Sequence, residues 1–590
     1  MKHYRTRENM SEEVRVLFPQ HSALLQDLLY GRGITSAEDA ERFLNPEFEP
    51  ARHDDGPARP DGGGDSHDPM LLPDMEKAVE RIVHAAKMGE KICVWSDYDC
   101  DGIPGGVLLS EFLRDVGLSV VHYIPHRHKE GYGLNKAGLK ELREQGIALV
   151  ITVDLGTTNV DEVAYANELG LDVIVTDHHL VAEQLPPAFA VINPKRPDSQ
   201  YPFDGLCGAG VAWKLVQGIL QKVRTEGNPF DLSDKMTGYA QGREKWLLDL
   251  VGIATLSDMV PLVEENRMLA RYGLLVMKKN RRPGLAALLS LLRIKPAMLT
   301  EDDIGFMIAP RINAASRMDS PQLAASLLAA RSFDEANELA RALSAVNDER
   351  KTTVALTVKE VNKRLATSDL ADAPIIVMGN PNWRPGVLGL VANSLMQAHG
   401  KPVFLWGREG GEENVIRGSC RSAGDVSVVD IMQGAADIFA HFGGHTASGG
   451  FSLMQDHVHE LLPRLVASHA LLPAVASDEI EILIDRELHL AEVAHAHREL
   501  PKLAPFGVGN HKPLFRIPCV TVGAVKVFGK AKDHLEVTLL QNDAHATGIA
   551  FFSTPESFQK TLVEGVLVDI IGHVETDWRG APRVRIVDVI

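Results

Sequence analysis

Three apolar runs in the first third of the chain end in acidic residues, and no other feature narrows the possible folds so far. KICVWSD (91–97) leads into Asp97, Asp99 and Asp101; ALVITVD (148–154) ends at Asp154; LDVIVTD (171–177) ends at Asp177 and is followed by His178 and His179. Amphipathic stretches such as SEFLRDVG and VDEVAYANELG lie between them. Short apolar strands alternating with helices predict a parallel, doubly wound sheet. Its strand ends would share one edge, and ligands of open α/β sheets bind outside that edge. Asp258, in GIATLSDMVPL, follows a fourth apolar stretch and could reach the same crevice.

A single Asp after a strand is more often a helix N-cap than a ligand. Four segments doing so together, one with adjacent histidines, read instead as a metal site, because so many like charges repel unless cations lie between them. Carboxylates mixed with imidazole favour Mn²⁺ or Mg²⁺. Five or more ligands imply two ions, and paired divalent ions activate water and stabilise a leaving oxygen in phosphoryl displacement, so phosphodiester hydrolysis is the natural chemistry.

Composition adds bounds. At 590 residues and 45% hydrophobic, the chain has material for three or four packed units. A formal charge of −18 disfavours binding to a polyanion, although a metal site concentrates carboxylates and local basic patches can coexist with an acidic remainder. Cys93, Cys100, Cys207, Cys420 and Cys519 show no CxxC pairing, which argues against a disulfide framework or zinc ribbon. No run approaches the roughly 18 apolar residues of a membrane span. The opening MKHYRTRENMSEEVRVLF lacks a signal-peptide core, so the expected location is cytoplasmic, without membrane attachment.

Along the chain, 1–50 reads as a helical segment and 51–69, rich in Gly, Pro and Asp, as a flexible linker. The parallel-sheet domain takes 70–290, and long periodic helices over 291–366 connect it to a second α/β unit at 367–472. From 473 to 590, short strands separated by turn residues suit an OB-like β-barrel. Lys526, Lys530 and Lys532 with Phe528 could give that barrel a nucleic-acid surface, although a solvated hairpin is the commoner use of such residues.

SDYDCDG (96–102), TVDLG (152–156), TDHH (176–179), SDMVPL (257–262), RINAASR (311–317) and GGHTASGG (443–450) resemble, in order, the motifs of the DHH/DHHA1 phosphoesterase superfamily. WRPGVLGLVA (383–392), RGSCRS (417–422) and PFGVGN (505–510) are similar to segments of its RecJ branch. The ordered set is specific where any one motif is weak. The resemblance implies a 5′-to-3′ exonuclease for single-stranded DNA in repair and recombination, using two Mn²⁺ or Mg²⁺ ions, with a single-strand-binding protein and a helicase as partners. Asp99, Asp101, Asp154, His178 and Asp258 match the family's metal ligands. Asp97, Asp177 and His179 would orient those ligands or face the phosphate, and His179 reads equally as a packed histidine. Arg127, Arg317, Ser419 and Arg421 resemble the groups that grip a terminal phosphate, for which the planar guanidinium fork is suited. Arg311 and Asn313 could share that work or hold their own loop. His445, with Gly443 and Gly444 before it, sits where glycines let backbone N–H groups approach a phosphate.

Pro104, Gly105, Leu155, Ser316 and Arg384 depart from the family pattern without removing an expected ligand. Two other readings stay open: a DHH phosphodiesterase for short oligonucleotides or cyclic dinucleotides, whose kind typically lacks the trailing barrel, and a non-catalytic scaffold at replication forks, whose kind loses the metal ligands.

Overall fold

The computed structural model describes residues 3–8, 15, 18–48, 65–127, 129–225, 239–368, 373–408, 414–423, 426–473, 481–529, 532–577 and 579–590. Strand β1 (His3–Thr6) opens the chain, followed by helices Ala23–Tyr30 and Ala37–Leu44. Ser22 and Ser36 cap these helices by accepting from the Leu25 and Asp39 amides. Their apolar faces, with Leu24, Leu28 and Leu44, join one core with Leu490, Val493 and Leu503, so the N-terminal segment packs on the C-terminal domain. The expected helical segment thus also contains a strand, which finds its partner far along the chain.

Of the expected linker, 51–64 falls outside the described residues. Residues 65–69 are not free: Asp65 and Ser66 are buried. Asp65 pairs with Arg42 and accepts from the Glu47 amide, and Ser66 and His67 serve a fully buried amine. Lys214 Nζ lies 2.5 Å from Glu265 Oε1 and donates to Ser66 Oγ and the His67 carbonyl at 3.0 and 2.8 Å. A buried cation needs such partners, and the end of the linker supplies two of them.

The first α/β unit is a sheet of β2 (Lys91–Ser96), β3 (Ser119–Tyr123), β4 (Ile147–Val153), β5 (Asp172–Thr176) and β6 (Ala190–Ile192), ordered β3-β2-β4-β5-β6 and parallel throughout. Helices cover both faces, and the central strands are buried as their unbroken apolar runs require. The chain reverses direction across the sheet between β2 and β4, so the residues after these strands flank the switch point.

Helices from Leu248 to Ala329 lead into one helix of 33 residues, Phe333–Leu365, about 50 Å long at 1.5 Å per residue. A second α/β unit follows. Its mixed sheet comprises β7 (Ile376–Gly379), β8 (Val403–Gly407), β9 (Val415–Arg421), β10 (His441–His445) and β11 (Ser448–Met454), ordered β10-β11-β9-β8-β7. Strand β12 (Glu481–Ile484) pairs in parallel with β1, and β13 (Arg486–Glu487) adds to the terminal sheet. That sheet runs β14 (Phe515–Phe528), β15 (His534–Gln541), β16 (Ala544–Phe551), β17 (Leu567–Thr576) and β18 (Pro582–Val589), in the order β14-β15-β16-β18-β17, and closes by pairing β17 with β14. Register shifts at 517/520 and 522/525 bend the 14-residue β14 so that it serves both sides of the barrel. This is the OB-like barrel expected from the strand-and-turn pattern.

Candidate metal centre and phosphate cleft

The switch point gathers the acidic residues. Asp97 follows β2, and its amide donates to the Val153 carbonyl at 3.1 Å. Asp154 follows β4 with a left-handed backbone, φ 64°, and its amide donates to the Thr176 carbonyl at 3.0 Å. A Cβ on Gly208 would stand 2.5 Å from Asp154 Cβ, so the glycine makes room for this side chain. Asp101 is gripped by the start of helix Gly208–Thr225: the Gly208 and Ala209 amides donate to its two oxygens at 2.6 and 2.8 Å. Asp99 Oδ1 accepts from the Asp101 and Gly102 amides and shapes the loop. Asp258 caps helix Leu248–Ser257 from the opposite side.

His178 Nε2 lies 3.1 Å from Asp154, 3.6 Å from Asp101 and 3.7 Å from Asp258. Three triads have ligand atoms within 4.8 Å of one another: Asp154–His178–His179, Asp101–His178–Asp258 and Asp97–Asp99–Asp154. Asp97 and His179, expected only to orient ligands or face the phosphate, therefore stand at ligand distance as well. Asp177 is fully engaged. Its Oδ2 accepts from the Thr157 amide, and its Oδ1 from the His178 and His179 amides and from His179 Nδ1 at 2.8 Å.

The electrostatics match. Burial, then the charge of Asp99, pushes Asp101 up to about 7. Burial with Asp101 and Asp99 pushes Asp258 up to about 8. Asp97 and Asp154 rise well above the carboxylate range, by burial first and neighbouring carboxylates second. His178 falls to about 4 through burial and the adjacent His179. For Asp177 burial acts upward, but the His179 and Thr157 hydrogen bonds outweigh it and hold the group below its usual range. Buried Asp97 Oδ1, Asp154 Oδ1 and both ring nitrogens of His178 have no hydrogen-bond partner among the described residues. Buried polar atoms left this way are costly. Hard oxygen donors with imidazole fit divalent Mn²⁺ or Mg²⁺, which would satisfy those atoms and offset the repulsion.

Next to the carboxylates lies a basic cluster. Arg127 stacks 4.9 Å over the Tyr98 ring. Arg317 donates to the Gly386 carbonyl, and Arg421 to the Cys420 carbonyl. Burial, then Arg127, Arg350 and Arg421, lowers Arg317 to about 10, so these guanidiniums share one field. Ser419, two residues before Arg421 on β9, lies opposite Gly450 of β11. Gly443 and Gly444 pair with Gly450 and Gly449, while His445 stands exposed at the end of β10. Among the described residues His445 makes no hydrogen bond or ion pair with the acidic cluster. Arg311 is turned away, bonding the Met307 carbonyl and Ser344. Asn313 Oδ1 accepts from the Cys100 amide, which makes it a brace for the Asp99–Asp101 loop. Of the departing residues, Arg384 pairs with Glu349, Gly105 permits close approach to Val153 and Ala209, and Leu155 and Ser316 are buried. The helix-start clamp on Asp101 was missed from sequence, although the glycines of CGAG hinted at a close approach. Arg350, in mid-helix, carried no sequence signal.

Comparison with known proteins agrees with this architecture. Models of the DHH family N-terminal domain, the DHHA1 domain and the RecJ OB domain match residues 91–241, 372–468 and 484–587. The single-stranded-DNA-specific exonuclease RecJ of Bacillus subtilis is 32% identical over 573 residues, spanning 96% of this chain and 67% of the relative. The Escherichia coli protein of the same name is 31% identical over 507 residues, 83% and 82% of the two chains. The crystal structure of Thermus thermophilus RecJ with Mn²⁺ superposes with a TM-score of 0.78 at 26% identity, covering 100% of this chain and 79% of that one. From its three domains, its motifs and these relatives, the chain belongs to the RecJ family of DHH/DHHA1 exonucleases.

Proposed function

We propose that this chain is a metal-dependent exonuclease that hydrolyses phosphodiester bonds of single-stranded DNA from the 5′ end, in repair and recombination. The observation that carries the reading is the convergence of Asp97, Asp99, Asp101, Asp154, His178, His179 and Asp258 at one sheet edge beside Arg127, Arg317 and Arg421. Asp99, Asp101, Asp154, His178 and Asp258 would hold two Mn²⁺ or Mg²⁺ ions, with Asp97 and His179 within reach. When bound, the ions supply the charge that activates water and stabilises the leaving oxygen.

The chain's own groups do the rest. The helix start at Gly208 fixes the Asp101 carboxylate, and Asp177 fixes His179 through Nδ1, which leaves Nε2 as the ring nitrogen free to meet a phosphate oxygen or the leaving oxygen. Arg127, Arg317 and Arg421, with Ser419, grip the terminal 5′ phosphate and set the distance to the scissile bond. The barrel favours a long polymer over a dinucleotide, and the complete set of carboxylates disfavours a scaffold. On the barrel, His534 packs edge-on to Phe551 and Phe552 with Arg583 and Arg585 near the Phe551 ring, a surface suited to stacked bases. No described helix is long and apolar enough to cross a membrane. A cytoplasmic setting, a single-strand-binding protein and a helicase belong to the same proposal through the family likeness.

The test follows 3′-labelled single-stranded DNA with Mn²⁺ and with EDTA, beside a duplex and a dinucleotide. Metal-dependent shortening of the single strand from its 5′ end is expected. Cleavage of the dinucleotide alone, or of nothing, would overturn the reading.

A further inference from the structure

Cys100 stands between Asp99 and Asp101, and its backbone is held from two other helices. The Asp101 and Gly102 amides are satisfied inside the loop, by Asp99 Oδ1 at 2.8 and 3.0 Å. The Cys100 amide instead donates to Asn313 Oδ1 at 3.0 Å, and the Cys100 carbonyl accepts from Ser257 Oγ at 3.1 Å. Ser257 ends helix Leu248–Ser257 and precedes Asp258, so this tie joins the loop to the next carboxylate of the same centre. The tie through Asn313 leads out of the centre.

Asn313 lies on helix Ala309–Met318 four positions before Arg317, and residues so spaced share one face of a helix. Arg317 Nη1 donates to the Gly386 carbonyl at 3.3 Å, at the start of helix Pro385–His399 in the second α/β unit. The same helix seats Arg421: a Cβ on Gly389 would stand 2.8 Å from Arg421 Nη2. Helix Pro385–His399 thus carries both guanidiniums, and helix Ala309–Met318 links them to the Asp99–Asp101 loop. Hydrogen bonds in series with a rigid helix are the kind of connection through which two sites influence each other.

We infer that Asn313 is a positioning residue that couples recognition of the 5′ end to the metal-binding loop. A terminal phosphate drawn onto Arg317 and Arg421 fixes helix Ala309–Met318; Asn313 Oδ1 then fixes the Cys100 amide and, with it, the Asp99 and Asp101 carboxylates. This rests on the exonuclease reading above and deepens it, because the centre is completed where an end is properly seated. By linkage the coupling is reciprocal: affinity for a phosphorylated end rises with metal by the same factor as affinity for metal rises with that end. One neutral hydrogen bond sets that factor at about three- to tenfold.

The test is calorimetric titration of Mn²⁺ into the full chain saturated with single-stranded DNA whose first linkage is an uncleavable methylphosphonate, bearing a 5′ phosphate or a 5′ hydroxyl. The wild type should bind Mn²⁺ about three- to tenfold more tightly beside the phosphorylated end. Asn313→Leu, near in size but without the acceptor, should reduce that ratio to below about twofold. Asn313→Asp keeps the acceptor, and its added charge enters both arms alike, so the ratio should persist. In EDTA, fluorescence anisotropy of Asn313→Leu should still show the wild-type preference for the phosphorylated end, since Arg317 and Arg421 are intact. A wild type indifferent to the end, a wild-type ratio in Asn313→Leu, or equal losses in Asn313→Leu and Asn313→Asp overturns the inference. So does loss of the preference in EDTA, which would make Asn313 a phosphate contact. Failure of the wild type to shorten an unmodified strand in Mn²⁺ overturns instead the exonuclease reading beneath it.

Discussion

Asp154→Asn should stabilise the metal-free protein and remove most of the stabilisation that manganese gives. The carboxylate is 2% exposed and its Oδ1 has no hydrogen-bond partner among the described residues. Like charges 4.8 Å apart, the outer separation within the Asp97–Asp99–Asp154 triad, repel by about 3 kcal/mol at an effective dielectric of about 20. Partial protonation relieves some of this, which leaves about 1–3 kcal/mol to be gained by a neutral isostere. Asn also tolerates the left-handed backbone at this position. For a domain of this size the gain amounts to a Tm roughly 3–9 °C higher in EDTA at pH 8. Mn²⁺ at a hundred times its Kd should stabilise the wild type by about 2.7 kcal/mol, and the variant should lose most of that shift. Differential scanning calorimetry at fixed pH, with EDTA or Mn²⁺, reads both effects. A variant that melts below the wild type in EDTA, or shows the full manganese shift, refutes the assignment of Asp154 as a ligand held in unfavourable surroundings.

Without metal, Asp101 and Asp258 keep their protons to about 7 and about 8, whereas the unfolded chain releases them near the ordinary carboxylate value. The folded state then binds more protons between about pH 4 and 8, so stability in EDTA should fall as pH rises through that window, and a flat or rising melting profile would contradict it. Gly208→Ala drives a methyl into Asp154 and should cost at least tenfold in Mn²⁺ affinity by titration calorimetry; unchanged affinity would remove that contact from the argument for the site. Arg421→Ala should reduce the preference for 5′-phosphorylated over 5′-hydroxyl ends in competition cleavage, and a preference unchanged from the wild type would exclude it from the terminal pocket. Arg267→Met should destabilise by about 2–4 kcal/mol, because the buried guanidinium donates to the Phe43, Leu503 and Ala504 carbonyls and its loss leaves them unsatisfied. Limited proteolysis should then cut near 503; wild-type resistance would argue otherwise.

The strand ends were legible because a parallel sheet turns a one-dimensional pattern, an apolar run followed by an acid, into a shared edge. That is why Asp97, Asp154 and His178 could be placed together from sequence, and why Asp258, from a helix end, could only be suspected. Side chains that depend on packing were less readable. Arg311 and Asn313 belong to one motif, yet one bonds its own helix neighbourhood and the other braces the Cys100 amide, because side chains two positions apart on helix Ala309–Met318 point about 200° apart. The anchoring of Ser66 and His67 follows from Lys214, which reads in sequence as an ordinary helical lysine. Pairing of β1 with β12 has no local signal at all, since the four-residue strand is defined by its partner.

That pairing has a mechanical meaning. Residues 3–6 lie on β12, and Tyr4 donates to Asp588 of β18 at 2.8 Å, so both extremities of the described chain are fastened at the barrel. A pull applied between them is carried by a short parallel ladder loaded in shear and by one hydroxyl–carboxylate bond. The catalytic sheet, held inside a loop whose two roots are pinned side by side, stays out of the load path until that clasp gives way.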